Sequence, residues 1–142
     1  MVDHIEMDFM VSDNCPFCGI LQGSIEREVI ASNDLAFCVT DGFPVTDGHA
    51  LIIPKRHIGS FFEISEEERN AIFELLDQAK KICDTELKPA SYNIGINDGP
   101  AAGQTVPHVH IHLIPRYQSD DEDPRGGVRW VVPKKADYWS AK

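Results

Sequence analysis

The sequence predicts one α+β domain: an antiparallel sheet of about five strands, one main helix and a short N-terminal helix. Three observations lead there. Five short apolar runs are separated by turn-forming residues. One capped run has helical period, and the last apolar run alternates at period two. A chain of 142 residues suits one domain with its own core.

The elements follow in order. "PFCGILQG" reads as a short helical turn ending at Gly23. "REVIAS" and "LAFCVT" flank the turn signal Asn33-Asp34 and read as a β-hairpin. "GHALIIPK" is a third strand, which its proline stops or places at an edge. Ser65 opens the main helix, and Glu68 completes a capping-box pattern. Ile72, Leu75, Leu76, Ala79, Ile82 and Cys83 fall on one helical face. Lys80, Lys81 and Lys88 sit toward the C-terminal end, where cations suit the helix dipole, and Pro89 ends the helix. "SYNIGIN" is a fourth strand, "DGPAAGQT" a glycine-rich loop and "VPHVHIHLIPR" the fifth strand. Residues 1–14 read as a loose acidic arm that includes His4, and residues 15–116 as the domain. Residues 117–142 form a tail whose "RGGVRWVVPKKADYW" is too aromatic to be left in solvent. It is expected to pack on the domain or on a dimer partner.

Composition narrows the function. The net charge of −10, from 23 acidic and 13 basic residues, argues against a binder of nucleic-acid polymers. A small anion remains possible, because histidines and backbone N–H groups build such a site locally. The sequence has no apolar run of the length that crosses a bilayer and no basic leader, so a cytoplasmic setting without membrane contact is expected. In a reducing compartment the four cysteines need not pair. Cys38 and Cys83 read as small core residues.

In "HVHIHLIPR", His108, His110 and His112 share one strand face, while Val109, Ile111 and Leu113 face the core. One metal ion could take all three only if the strand bent strongly. Alternate residues over this span cover about 13 Å of strand, whereas zinc ligands sit about 2.0–2.1 Å from the ion. Divided roles fit better. Cys15 and Cys18, in C-P-F-C, have the spacing of half a tetrahedral zinc site, although a redox dithiol has it too. His57 and His108 are candidates to complete Cys₂His₂. Such a site is closed, hence structural. It leaves His110 and His112 facing a substrate.

Three separated motifs carry a family likeness. "HVHIHLI" is similar to the signature of the histidine triad (HIT) nucleotide hydrolases and transferases. "DGHALIIPKRH" resembles the family's upstream segment, and "NDGPAAGQTVPHVHIHLIPR" resembles its dinucleoside-polyphosphate-cleaving branch. The likeness runs from about Cys15 to Arg116. It implies that His110 attacks an α-phosphate and forms a nucleotidyl-histidine, which water resolves to a nucleoside monophosphate. It implies that His112 contacts the phosphate, that His108 orients the site, and that Cys15, Cys18, His57 and His108 hold a structural Zn²⁺. Gln104 and Thr105 match positions on phosphate oxygens and leaving group, and Asn97 a phosphate-side position. Asp41 matches a ribose ligand; Phe17 and Ile20 match apolar positions around the base. The resemblance also implies a homodimer and an AMP-containing substrate. Dinucleoside polyphosphate is the first expectation. A nucleoside phosphoramidate is the alternative, and a nucleotide-binding zinc protein with little turnover is the rival class.

The chemistry is sound by itself. Imidazole is a usable nucleophile near pH 7 when one ring nitrogen is bare and the other donates to a fixed acceptor. His112 as imidazolium, with Gln104, Thr105 and the backbone near Gly103, is expected to stabilise charge. Gly99 and Gly103 allow close approach to phosphate. His49 reads as a hydrogen-bonding residue at a strand entrance. Lys55 and Arg56 read as surface charges, and Arg116 as either a surface charge or a phosphate-side cation. Trp130 or Trp139 lines the leaving-group side or anchors the tail.

Overall fold

The computed structural model describes residues 12–140. His4 and positions 1–11 of the expected acidic arm lie outside the described residues. Helix α1 spans Pro16–Gln22. Strands β1 Val29–Ser32, β2 Ala36–Thr40 and β3 Ala50–Pro54 follow. Helix α2 spans Glu66–Glu86, then come β4 Ser91–Ile96 and β5 Ile111–Arg116. All neighbours pair antiparallel in one five-stranded sheet, in the order β1-β2-β3-β5-β4. The tail carries a 3₁₀ turn at Gly127–Val131 and a short helix, α3, Pro133–Ala136.

The sheet separates two apolar clusters, and the strand alternation assigns residues to each. Ala36, Cys38, Ala50, Ile52, Ile111 and Leu113 face α2, meeting Ile72, Leu75 and Ala79. Phe37, Val39, Leu51 and Ile53 face the other way, against Phe17, Cys18 and Ile20 of α1. His110 and His112 alternate with Ile111 and Leu113, so they lie on the α1 side. The fold thereby sets the histidines and the cysteine pair on one face of one sheet.

Local chemistry explains the element ends. Asn33 Oδ1 accepts from Leu35 N–H and Ala36 N–H, closing the β1–β2 turn. Ser65 Oγ accepts from Glu68 N–H at 3.0 Å, and Glu68 Oε1 accepts from Ser65 N–H at 2.8 Å. Arg56 was expected at the surface as a free charge. Instead its guanidinium grips the buried Glu68 carboxylate in a fork, at 2.8 and 3.0 Å. This holds Glu68 below the usual carboxylate range. Lys80 does not serve the helix end; it pairs with Asp84 at 2.8 Å, and the last turn of α2 has no basic residue.

The fifth strand is shorter than its alternation suggests. Ladder pairing begins at Ile111 rather than near Val106. Pro107 has no N–H to offer. His108 N–H turns to the Val106 carbonyl, and Val109 N–H goes to Ile58 O, both at 2.8 Å. His108 and His110 therefore precede the paired strand.

Ser65→Ala should cost about 1 kcal/mol, as capping losses do. Glu68→Ala should cost about 2–3 kcal/mol, because it also strands the Arg56 guanidinium. Urea unfolding checks both, with the slope unchanged.

Candidate active site and metal centre

The main chain decides which nitrogen of each triad histidine carries hydrogen. A carbonyl oxygen can only accept, so a ring nitrogen beside one must donate. His108 Nε2 lies 2.7 Å from Pro54 O, and His110 Nδ1 lies 2.8 Å from His108 O. In the neutral rings His108 is thus bare at Nδ1, and His110 is bare at Nε2.

The bare His108 Nδ1 points into a cluster of four ligand atoms. It lies 3.3 Å from Cys15 Sγ, 3.6 Å from Cys18 Sγ and 3.3 Å from His57 Nδ1. Cys18 Sγ lies 3.4 Å from His57 Nδ1, and all four atoms fall within 4.8 Å of one another. Tetrahedral Zn–N and Zn–S bonds of about 2.0–2.3 Å put ligand atoms about 3.3–3.8 Å apart. The spacing and the donor set therefore fit such an ion. Burial pushes the Cys18 thiol up to about 11. A cation would oppose that by favouring the thiolate. N–H groups already aim at both sulfurs, from Ser12 to Cys18 and from Cys18 to Cys15.

A second cluster joins Asp41, His49 and His112, and it too has metal-like spacing. Its hydrogen bonds read differently. Val45 N–H donates to His49 Nδ1 at 3.1 Å, which leaves the neutral ring with hydrogen on Nε2. That nitrogen is 2.9 Å from His112 Nδ1 and 3.3 Å from Asp41 Oδ2. An Nε2–H facing these acceptors makes a relay, and a metal there would first require its removal. Asp41 is held by Phe43 N–H at 2.7 Å. His112 Nδ1 accepts, so His112 carries its hydrogen on Nε2. The expectation of a charged His112 is corrected here. Burial, aided by the neighbouring His110 and His49, lowers His112 to about 4. Burial lowers His49 as well, against the pull of Asp41. Both rings are neutral near pH 7, so the 3.3 Å His49–Asp41 contact is not an ion pair.

The remaining candidates divide. Phe17 packs edge-on to His110, with ring centroids 4.9 Å apart, and Ile20 is buried beside it in the α1-side core. The His110 and His112 rings are 5.2 Å apart. Asn97 joins His49 and His112 in lining a cavity of about 550 Å³, which Arg116 and Trp130 line farther along. Gly95 pairs with His112 across the β4–β5 ladder, and a Cβ there would meet no atom within 4 Å, so space remains beside His112. Gly103 and Thr105 lie exposed in the β4–β5 connection. Gln104 faces its own loop: its amide oxygen takes Gly99 N–H at 2.7 Å, and its amide nitrogen donates to Gly59 O and Val106 O. Trp139 stacks under Arg125, 5.0 Å from the guanidinium carbon. His49 was read as a plain hydrogen-bonding residue, and its link to His112 went unseen. The available signal was its phase, since His49, Leu51 and Ile53 share a face. Only the β3–β5 register connects that face to the triad.

A backbone-oriented imidazole and a hydrogen-bonded His49–His112 pair thus share one face of a five-stranded antiparallel sheet. Comparison with known proteins gives the family. A HIT domain model matches residues 22–119. The chain is 36% identical over 115 residues to an uncharacterized 16.1 kDa HIT-like protein of Mycoplasma pneumoniae, covering 81% of this chain and 80% of that one. It is 36% identical over 117 residues to the adenosine 5′-monophosphoramidase of Schizosaccharomyces pombe, covering 82% and 83%. It is 38% identical over 77 residues to that organism's asymmetrical bis(5′-nucleosyl)-tetraphosphatase, covering 54% and 42%. The crystal structure of a HIT family protein from Bacillus anthracis superposes with a TM-score of 0.73 at 37% identity, over 78% of this chain and 79% of that one. A Zn-bound histidine triad family protein from Mycobacterium smegmatis gives 0.70 at 32% identity, over 78% and 84%. This chain belongs to the HIT domain family.

The half-buried neutral His112 carries a pH dependence. An unfolded chain takes up this proton near pH 6.5, the folded chain only near 4, so acidification through that window favours unfolding. Urea midpoints should fall between pH 6.5 and 4, and the fall should be shallower in His112→Asn.

Proposed function

We propose that the protein hydrolyses a nucleoside 5′-phosphate derivative at the α-phosphate, through a covalent nucleotidyl-histidine, releasing a nucleoside monophosphate such as AMP. One observation carries this reading: His110 donates from Nδ1 to the His108 carbonyl and so keeps Nε2 bare. In the first step the Nε2 lone pair bonds to phosphorus, and the bond to the leaving group breaks with its electron pair. The ring keeps its Nδ1–H, and the His108 carbonyl stabilises the positive charge that develops there. His112 Nε2–H is a neutral donor for a phosphate oxygen or the leaving group. In the second step water adds to phosphorus and His110 departs with its lone pair, while one water proton stays on the new phosphate oxygen and the other is released to solvent. Asp41, Phe17 and Ile20 are proposed to hold the nucleoside. Asn97, Thr105 and the backbone at Gly103 are proposed to meet the phosphates, with Gln104 holding the loop that presents them.

Cys15, Cys18, His57 and His108 would hold Zn²⁺, which in a closed four-ligand site supplies cross-linking rather than a reacting position. The Zn-bound relative supports this assignment. The free cysteines of the chain are compatible with a reducing, cytoplasmic setting. Among the described residues no helix is long and apolar enough to cross a membrane. The outer edge of β4, with Ile94 exposed, supports a homodimer.

For the substrate, the "DGPAAGQT" loop and the Pro115-Arg116 pair favour a dinucleoside polyphosphate. The tetraphosphatase likeness supports it over about half of the chain. The longer match to a monophosphoramidase supports a nucleoside phosphoramidate as the second reading. A panel of both classes, followed as AMP release, separates them.

His110→Asn should lower AMP release by about three orders of magnitude or more while nucleotide binding persists. Labelled substrate should leave an acid-labile nucleotide on His110 of the wild type. Turnover undiminished in His110→Asn would refute the covalent route. Purified protein should contain about one zinc per chain, and Cys15→Ser should contain much less. Metal analysis under reducing, chelator-free conditions decides this.

A further inference from the structure

The acceptor that orients the nucleophile lies outside the sheet ladder. β5 pairing begins at Ile111, whereas the oriented ring belongs to His110 and its acceptor to His108. The segment before the strand is tied at Ile58 O through Val109 N–H, and at Pro54 O through the His108 ring. Those two anchors bracket His57, itself a member of the tetrad. The third tie is the tetrad atom His108 Nδ1. Two of the ties thus use the His108 side chain, and its carbonyl is placed by where that ring sits.

A second route reaches the same ring. Helix α1 has only 7 residues, too short to be stable unaided. Cys15 caps it and Cys18 lies in its first turn, so tetrad geometry fixes its orientation. Phe17 stands between them. Its ring meets His108 edge-on at 5.7 Å and His110 at 4.9 Å.

We propose that metal occupancy of the Cys15–Cys18–His57–His108 tetrad positions the His110 nucleophile, through the His108 carbonyl and the Phe17 ring, and so couples metal binding to nucleotide binding and turnover. This rests on the metal reading given above. Phe17 is here a positioning residue. The coupling is reciprocal: whatever factor the metal adds to nucleotide affinity, the nucleotide adds to metal affinity. Loss of the metal would free His57 and leave the His108 ring on its Pro54 bond alone, loosening both routes at once.

The test uses the full chain under reductant, as purified, after chelation and after zinc is restored. AMP affinity is measured by calorimetry in each state, and zinc affinity with and without AMP. AMP binding should weaken by about tenfold without metal, the scale at which supporting shells act, and should return with zinc. AMP should tighten zinc by the same factor. Equal AMP affinity in folded metal-free and zinc-loaded protein would overturn the proposal. A chain that takes up no zinc would overturn the metal reading and the proposal with it. Phe17→Leu, kept zinc-loaded, supplies the decision if the metal-free chain loses its helical circular dichroism. Its zinc content should be unchanged while kcat falls by about tenfold or more, as misplaced reacting groups do. A rise in KM alone would mean that Phe17 only binds the base, and would overturn the proposal.

Discussion

The hydrogen bond from His108 Nε2 to the Pro54 carbonyl, at 2.7 Å, is the contact on which the site depends. Both partners are buried, so leaving either unmade would cost about 1–3 kcal/mol. Its direction is forced by the carbonyl. Nδ1 is therefore bare and faces the cysteine pair and His57. The same residue's carbonyl then forces the direction of the next bond, to His110 Nδ1, and leaves Nε2 of that ring bare. Two identical side chains, two residues apart, thus carry opposite tautomers. One suits a metal ligand and the other a nucleophile.

The third histidine is set from a different direction. A backbone donor at Val45 fixes His49, and His49 fixes His112. Burial keeps this pair neutral, and the Asp41 carboxylate beside them does not overcome it. In a chain of net charge −10, the neutral His49–His112 pair can meet an anion with hydrogen-bond donors rather than with positive charge. Fixed dipoles can serve this purpose in a site of low dielectric.

Features encoded within a few residues were legible in the sequence. The Ser65–Glu68 capping box, the Asn33 turn and the short apolar runs of β2 and β3 depend on neighbours along the chain. Cys15-x-x-Cys18 was legible as half of a site because chelate spacing is local. What escaped depended on distant partners. The late start of β5 follows from the claim of Ile58 on Val109 N–H. Arg56 looked free because its acceptor, Glu68, is brought to it by the packing of α2. The role of His49 required the β3–β5 register, and the neutrality of His112 required knowledge of its burial. Divided roles for the triad were already suggested by the C-x-x-C spacing, whereas the hydrogen-bearing nitrogen of each ring required the carbonyls of Pro54 and His108.

The most direct measurement of this account is the protonation pattern of the rings. Long-range ¹H–¹⁵N spectra of the zinc-loaded protein near pH 7.5, with assigned histidines, report which nitrogen of each ring carries hydrogen. The account predicts Nε2–H for His108, Nδ1–H for His110 and Nε2–H for His112. A His110 ring with its hydrogen on Nε2, the position assigned to the nucleophilic lone pair, would contradict it.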